Sequence, residues 1–531
     1  GIWPGGFPFG AAGVDGMKTV KRIWEWILRF AGLLAALWKK RQRFNSWMAK
    51  RYTPAAMALI GTAVCLAVAV FSLFTPAYLG MANDSIGNQK MQEYGLSYRQ
   101  ADRGEDPALF ASNEFFTRVY ETSRTGEPIH STQNLFVYAA MALDTLFTAD
   151  GQFDVRFLAL VYLALYLPAV FLVLKAGVER VRYFSEALVV TALGALIFSD
   201  ISYLVFFNSL YSDALILICL MYIAGASMGL HLERKGQVAL QLVLAVAGVV
   251  LCLLEKRLFL AGLFVAVLLV AQVRLMAGGD KIVVCILSVL LIGSAVASLY
   301  WSGDEFDDVS KVHSVTRGIL LQSQNPDKTL EEMGIDTSYS LLTDQSLYDY
   351  YPPSEISNPV LHHGLLDRFD GVDVAVYYLK HPGELVLMWE NAIRSALHLR
   401  RDYCGNYERS TGMPPMSKSV SFSMWSMFRE RSVPATMGYL VLLVVAVMVM
   451  SGGKVFNRHA VHRWDYMYFV TMLTIAAIGL ADITAVICLS GDAQLVQCSM
   501  TFGVTLDLLF YFVIAEILHK LNILEGKHEK N

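Results

Sequence analysis

The hydrophobic pattern of this chain consists of long apolar runs separated by polar stretches. A helix that crosses a bilayer needs about 20 mainly apolar residues, because its backbone N–H and C=O groups must pair within the helix in hydrocarbon. The pattern therefore predicts an all-α polytopic membrane protein with about ten transmembrane helices. The predicted spans are 55–74, 155–176, 184–201, 211–230, 237–254, 257–275, 281–300, 434–451, 465–489 and 502–522.

Lys and Arg residues are concentrated in alternate connections between these spans. Because cytoplasmic loops carry an excess of Lys and Arg, this alternation predicts that both termini are cytoplasmic. The basic stretches are those before residue 52, 175–182, 231–235, 274–281, 454–463 and the tail after 519. The opposite side then holds 75–154, 202–210, 254–257, 301–433 and 490–501.

The spans divide the chain into five parts. Residues 1–16 are rich in Gly and Pro and precede Met17, so we interpret them as an extension foreign to the native chain. Residues 17–53 mix Trp and Arg with apolar residues, which predicts an amphipathic segment in the cytoplasmic interface. The other parts are an N-terminal transmembrane bundle at 54–300, a small, mainly α extracytoplasmic module at 301–433, and C-terminal transmembrane helices with a tail at 434–531.

Two further helices are predicted on the side opposite the cytoplasm. An apolar stretch at 133–148, inside the first outer loop 75–154, predicts a half-buried helix at the outer surface. The pattern HPGELVLMWENAIRSALHLRR, at 381–401, predicts a helix within the module. A polar segment as long as 301–433 with its own helix is expected to fold and dock on the bundle.

Composition agrees with lipid as the solvent, since 55% of the 531 residues are hydrophobic and 17% are charged. The net charge of -3 provides no basic field for nucleic acid. The seven cysteines follow no metal-ligand or disulfide-framework spacing. Cys488 and Cys498 flank the predicted outer loop 490–501, and the sequence leaves a disulfide between them open.

A carboxylate at the outer end of the first span is the first candidate for chemistry. Asp84 is close to lipid yet reachable from outer water, which suits a general base that deprotonates an acceptor hydroxyl. The alternative is an Asx cap at the end of a helix. The sequence by itself favours neither strongly.

The stretch FFNSLYSDA carries polar residues at the outer mouth of another span. Asn208, Tyr211 and Asp213 are candidates for lining a cavity, because polar groups at this depth are costly unless they serve one. Alternatively, Ser212 or Asp213 caps the helix that follows. The two roles are compatible.

Cations occupy two outer positions, against the positive-inside trend. Lys256 and Arg257 follow Glu255 in a tight predicted hairpin and are candidates for binding the phosphate of a lipid-linked substrate. Snorkelling toward lipid headgroups is an equal alternative. Arg401 and Tyr403 offer a second site in the outer module, although cations also suit a solvated helix end.

Several motifs are absent from the sequence. It contains no phosphate-binding glycine loop with a following Lys, no HExxH, no CxxC and no GxSxG. No metal site is therefore predicted, although the sequence leaves a divalent metal open.

These features resemble the GT-C class of membrane glycosyltransferases, which use polyprenyl-phosphate sugars and include the protein O-mannosyltransferases and the aminoarabinose transferase of lipid A. In that class a cytoplasmic N-terminus leads into a span that ends near an acidic residue of the first outer loop, here Asp84. The stretch 130–147 resembles the HPP-plus-apolar helix of the class but lacks its two prolines. Residues 211–225 and 252–267 resemble a polar-led span and a Lys-containing hairpin, with Lys256 in the place of the class lysine.

A large outer module before the last spans completes the resemblance, which covers roughly 55–430. Residues 311–342 and 378–407 also resemble poorly characterised bacterial envelope proteins within the class. The resemblance implies a transferase of the bacterial inner (cytoplasmic) membrane.

The resemblance also implies roles for individual residues. Asp84 would be the catalytic base, and Lys256 and Arg257 would hold the departing polyprenyl phosphate. Direct displacement would invert the anomeric centre of the sugar. No cofactor is required. The partners would be the lipid-linked sugar, membrane lipid and a glycan, lipid or protein acceptor. Weaker candidates for contacts with the sugar or acceptor are Asn208, Tyr211, Asp213, Arg401 and Tyr403.

Other functions stay open at this stage. One is a polymerase or ligase that uses a lipid-linked glycan. Another is a non-enzymatic glycolipid transporter, although neither repeat symmetry nor polar residues spread through the spans support it. A third is an envelope-assembly scaffold, which would tolerate the loss of Asp84.

Overall fold

The structure is a computed structural model, and it describes most of the chain between residues 52 and 528. The described residues are 40, 47, 52–75, 79–81, 90, 91, 93–97, 119–122, 130–148, 150–230, 237–273, 280–301, 308–345, 359–399, 401, 404–407, 412–414, 417–452, 455 and 463–528.

Apolar helices form the frame of the molecule, as the hydrophobic pattern predicts. The first, α1 (Pro54–Phe74), begins after Thr53, whose side chain accepts a hydrogen bond from the Ala56 N–H at 3.1 Å. Pro54 occupies the first turn, where a missing N–H costs no intrahelical hydrogen bond. The further helices are α2 (Gln133–Phe147), α3 (Arg156–Arg180), α4 (Phe184–Phe198), α5 (Asp213–Gly229), α6 (Gln237–Cys252), α7 (Phe259–Gln272), α8 (Asp280–Trp301), α9 (Gly371–Lys380), α10 (Pro382–Leu397), α11 (Met424–Ser432), α12 (Met437–Val447), α13 (Arg463–Ser490) and α14 (Met500–His528).

Every predicted span contains a helix, but the helices differ in length. Among the described residues, five helices are long and apolar enough to cross a membrane singly, namely α1, α3, α8, α13 and α14. Two bent pairs raise the number to seven: α4 with the segment Ile201–Asn208, bent by 44°, and α11 with Met437–Gly452, bent by 109°. The helices α5, α6 and α7 are shorter, with 17, 16 and 14 residues. The count of about ten crossings stays a prediction.

Both bends have local causes. After α4, the Asp200 side chain accepts a hydrogen bond from the Ser202 N–H at 3.0 Å and so starts a new, short helix. Between α11 and α12 lies Pro434, which has no N–H to donate and disfavours helical geometry in the residue before it. The predicted span 184–201 therefore ends early, at Phe198.

The centre of the bundle is the packing of α3 between α1 and α5. Gly225 of α5 allows the two backbones to approach closely, because a Cβ atom there would lie 2.7 Å from Leu172 Cβ and 3.0 Å from the Leu172 carbonyl carbon. Tyr162 and Tyr166 of α3 are fully buried beside this contact region. Small residues thus determine how closely the central helices pack.

The half-buried helix predicted at 133–148 is present as α2. Its first residues are tied to the end of α6, since Ser131 Oγ donates to the Leu254 carbonyl at 2.7 Å and Thr132 Oγ1 to the Val250 carbonyl at 2.8 Å. Leu146 and Phe147 remain exposed on its outer face. The start of α2 therefore packs against the α6–α7 connection.

Short strands and helices cover one end of the bundle, which we call the module end and define by the described residues within 253–257, 308–433 and 490–499. The strands β1 (Leu79–Met81) and β5 (Cys404–Tyr407) pair antiparallel, and β2 (Leu96–Ser97), β3 (Val119–Thr122) and β4 (Gln152–Asp154) form a second small sheet in that order. The shorter helical elements of the module are Asp308–His313, Ser314–Ile319 with π-helical geometry, Leu320–Gln322, Pro326–Glu332, Thr337–Leu342, Pro359–Gly364 and Leu366–Arg368.

A buried arginine anchors the module in the bundle. Arg429 of α11 contacts Asp507 of α14 with an Nη1–Oδ2 distance of 2.7 Å and donates to the Ala396 carbonyl at 2.6 Å. Trp425 Nε1 donates to the same Asp507 oxygen at 2.8 Å. Because a buried charge is costly without partners, these contacts hold α11 firmly on α14.

Candidate functional site

The predicted basic hairpin is a short 3₁₀ turn, Lys256–Leu258, that leads directly into α7. Arg257 is buried, and its guanidinium contacts two carboxylates. Its Nη1 donates to Asp482 Oδ1 of α13 at 2.6 Å, and its Nε donates to Glu255 Oε2 at 2.7 Å. Arg257 therefore joins the start of α7 to the half of α13 that lies toward Ser490.

Glu255 is the centre of the hairpin's hydrogen bonding. It accepts a hydrogen bond from Ser212 Oγ, which lies just before α5, as well as from Arg257. Burial acts to raise the pKa of Glu255, but the Arg257 guanidinium and the Ser212 hydrogen bond hold that pKa below its usual range. Glu255 is thus an anion that fixes the hairpin against α5.

A second arginine comes from the module. Arg401 Nη2 donates to Asp213 Oδ1 at 2.9 Å, and its Nε donates to the Val496 carbonyl at 3.1 Å. The guanidinium also lies 5.1 Å from the ring centroid of Phe206. With 3% of its side chain exposed, Arg401 links the module, the first turn of α5 and the α13–α14 connection.

The two arginines and their partners form one buried network at the module end. It contains three carboxylates and two guanidinium groups, contributed by the residues Asp213, Glu255, Arg257, Arg401 and Asp482. Ser212, which donates to Glu255, directly precedes Asp213, which accepts from Arg401, so the two arginine sites adjoin each other. The sequence predictions Asp213, Arg257 and Arg401 are therefore brought together.

An apolar groove lies next to this network. It has a volume of about 480 Å³ and is lined by residues of α7, α9 and α13, among them Leu260, Phe264, Ala375, Ala481 and Thr484. Leu260 follows Lys256 by one helical turn, and Ala481 precedes Asp482 in the chain. Lys256 itself is half-buried, and the volume of the groove is within the range of ligand sites.

Two other predicted residues have structural contacts. Asn208 is buried, and its Nδ2 donates to the Leu73 carbonyl at 3.2 Å and to the Leu79 carbonyl at 3.1 Å. Contact between this amide nitrogen and a sugar would have to replace one of these bonds. Tyr211 is also buried, directly before the Ser212–Glu255 hydrogen bond.

Asp84 and Tyr403 lie outside the described residues. The strands nearest to them in sequence, β1 and β5, pair with each other, with Met81 opposite Cys404. The roles predicted for Asp84 and Tyr403 stay predictions. The structure also bears on the disulfide alternative, because no disulfide joins Cys488 and Cys498.

Sequence reasoning missed that carboxylates inside the predicted spans pair with distant arginines. Asp482 and Asp507 each lie within an apolar helix, and each accepts an arginine that is distant in sequence. A third case is Glu516 of α14, which binds Arg180 with an Nε–Oε2 distance of 2.5 Å. The signal was available, since an acidic residue inside a predicted span requires a partner.

The part of the chain that the structure describes contains no metal-binding group of side chains. There, no three His, Cys, Asp or Glu side chains are grouped so that they could hold a metal ion. The network carboxylates are instead bound to arginines and hydroxyls.

Comparison with known proteins defines the family. The family model described as YfdI N-terminal transmembrane domain matches residues 39–531. The chain belongs to this family. Together with the apolar helices, this membership confirms the predicted all-α polytopic, multi-pass membrane protein. No curated protein and no solved structure matches the chain.

Proposed function

We propose that the protein transfers a sugar from a polyprenyl-phosphate carrier to a glycan, lipid or protein acceptor, with inversion at the anomeric centre. The observation that carries this proposal is the apolar groove of α7, α9 and α13, because its lining residue Leu260 lies one helical turn after Lys256. A lipid-linked phosphate combines an anionic head with a long hydrocarbon tail. A cation beside an apolar groove in a membrane protein matches both parts.

The start of α7 adds to this match. A helix N-terminus carries a partial positive charge that favours an anion, and Lys256 lies in the turn immediately before Phe259. The tail would then run along Leu260 and Phe264, one and two turns further into the apolar helix. Neutralising the leaving phosphate would assist cleavage of the bond between sugar and phosphate.

Within this proposal, Lys256 and Arg257 have different tasks. Arg257 already binds Glu255 and Asp482, so direct contact with phosphate would require it to give up part of a buried ion pair. We assign the phosphate contact to Lys256 because this cation lies in the turn directly before α7, which contributes Leu260 to the groove. Arg257 holds the hairpin so that Lys256 stays beside the groove.

The chemical step rests on the resemblance to GT-C transferases. Asp84 would take the proton from the acceptor hydroxyl or amine as that group attacks the anomeric carbon, and the polyprenyl phosphate would leave. No metal or other cofactor is needed for this displacement. Asn208, Tyr211, Asp213 and Arg401, together with Tyr403 as the sequence predicts it, would shape the sugar or acceptor site.

The membrane orientation is part of the same proposal. Tyr52 OH contacts the Arg182 carbonyl at the end opposite the module, so the basic stretch 175–182 lies at the N-terminal end of α1. By the positive-inside trend this end would be cytoplasmic, with the module on the outer face. We propose the bacterial inner membrane as the location, with both termini cytoplasmic.

Binding of the donor lipid tests the proposal. The full-length protein in nanodiscs is titrated with a fluorescent polyprenyl phosphate, and Lys256→Ala is compared with Lys328→Ala. Loss of one charge-assisted contact, worth about 1.5–3 kcal/mol, weakens binding by about 10- to 100-fold. Lys328 is an exposed cation of the module, 3.7 Å from Glu332, and its removal leaves binding unchanged.

Equal affinities in these two variants would contradict the role of Lys256. The transfer step is tested separately with Asp84→Asn, at normal expression and membrane insertion. The transferase proposal requires loss of sugar transfer with donor binding retained. Retained transfer would exclude Asp84 as the base, and a scaffold would tolerate the substitution without loss of function.

A further inference from the structure

The module helix α9 has one side packed against the bundle. At 3.6 residues per turn, Val374, Tyr377 and Tyr378 share this side, and all three are buried. The helix contacts α13 and the π-helical turn Ser314–Ile319 of the module. This face therefore has its partner within the protein.

A second apolar stripe on α9 is not covered by the bundle. Val372, Val376 and Leu379 are 68%, 40% and 78% exposed, and Ala375 completes the stripe. Their spacing of i, i+3, i+4 and i+7 is that of a continuous face along a helix. Four apolar residues in such a row usually mark a surface that contacts something other than water.

The polar residues of α9 are confined to the flank between these two faces. Asp373 and Lys380 are seven residues apart and therefore lie above one another on the helix, and both are exposed. The helix thus has one face for protein, one apolar face and one polar edge. A helix that contacts protein, hydrocarbon and water on different sides has this arrangement.

The exposed stripe is continuous with a surface that faces lipid. Ala375 lines the groove together with Leu260 and Phe264 of α7. Further along α7, Val267 and Val270 are 64% and 57% exposed in an apolar helix of a membrane protein. The hydrocarbon of the bilayer covers the part of this surface that α7 contributes.

A tryptophan is hydrogen-bonded to a residue that lines the groove. Trp389 of α10 donates from Nε1 to Thr484 Oγ1 of α13 at 3.0 Å, and Thr484 also lines the groove. Tryptophan is enriched where the hydrocarbon meets the headgroups, because its ring is apolar and its N–H is polar. Trp389 therefore marks the depth of the membrane boundary beside α9.

We infer that α9 lies in the lipid–water interface, with Val372, Val376 and Leu379 inserted among the acyl chains and Asp373 and Lys380 at the headgroups. The partner of this surface is the phospholipid bilayer itself. The buried face holds the helix on α13, and the apolar stripe forms the rim of the groove. This inference does not depend on the proposed sugar transfer.

Site-specific fluorescence tests the position of α9. An environment-sensitive fluorescent amino acid is introduced singly at Val372, Val376, Leu379, Asp373 or Lys380 of the full-length protein in nanodiscs. Two quenchers are compared, namely phospholipid with brominated acyl chains and aqueous iodide. The same label at Val267 provides the lipid-facing reference.

The inference requires blue-shifted emission and quenching by brominated lipid at the three stripe positions, as at Val267. Labels at Asp373 and Lys380 show red-shifted emission and are quenched by iodide. Iodide quenching along the stripe would overturn the inference, as would protection from both quenchers, which indicates a covering protein. Lipid quenching at all five α9 positions would also overturn it, because the helix would then be submerged.

Discussion

Replacing Arg257 with Ala should destabilise the protein strongly, because two carboxylates would lose their shared cation. Arg257 makes contacts of 2.6 Å to Asp482 and 2.6 Å to Glu255, and 5% of its side chain is exposed. Removing one partner of a buried ion pair typically costs about 3–5 kcal/mol, mainly because the remaining charge stays buried without compensation. We expect a loss within that range.

The second substitution in the test is Asp482→Asn, which removes the charge that Arg257→Ala leaves behind. The double variant Arg257→Ala/Asp482→Asn should therefore be less destabilised than the sum of the two single variants. The coupling energy between contacting residues is about 0.5–3 kcal/mol. Because Glu255 also loses its partner in the double variant, recovery should be incomplete.

The assay is unfolding by SDS in dodecylmaltoside micelles, followed by circular dichroism. Arg394→Ala serves as the matched control, since Arg394 is an exposed arginine of α10. Its removal should change the free energy of unfolding by less than about 0.5 kcal/mol. The reasoning is refuted if Arg257→Ala costs no more than Arg394→Ala, or if the substitutions at Arg257 and Asp482 are additive.

Two further predictions concern pH and packing. The folded-state pKa of Glu255 is lowered, so its contribution to stability is complete above the unfolded pKa, about 4.3, and is lost as the pH falls through the lower folded value. As the pH falls from about 6 to 3, the free energy of unfolding of the wild type should therefore lose a contribution that Glu255→Gln does not have. The difference in stability between the two proteins should shrink over this range, and parallel pH profiles would contradict this. Gly225→Ala should lower the melting temperature, because its Cβ would lie 2.7 Å from Leu172 Cβ, whereas Gly293→Ala, with no atom within 4 Å, should not. Equal melting temperatures for the two glycine variants would show that the α3–α5 contact can relax.

The hydrophobic pattern predicts much of the fold because the requirement it reflects is local. A run of about 20 apolar residues can pair its own backbone groups, so a membrane-spanning helix needs no distant partner. The helices α1, α3, α8, α13 and α14 follow from this rule. The early end of α4 and the bend before α12 depend on Asp200 and Pro434, whose local effects on a helix are also readable from sequence.

The candidate site was only partly predictable. Lys256, Arg257, Asp213 and Arg401 stand out in the sequence because charges are scarce at the membrane boundary. Their partners do not stand out in the same way. Arg257 and Asp482 are 225 residues apart, and Asp213 and Arg401 are 188 residues apart, so no local periodicity relates them.

The sequence alone determines that this chain crosses a membrane several times, carries a polar module and has its six basic stretches at one predicted face. The tertiary structure decides that Arg257 binds carboxylates, that Arg401 joins the module to α5, and that α7, α9 and α13 form an apolar groove. The physical reason is the range of the interactions. Transfer of a helix into hydrocarbon depends on its own residues, whereas pairing of buried charges depends on which helices pack together.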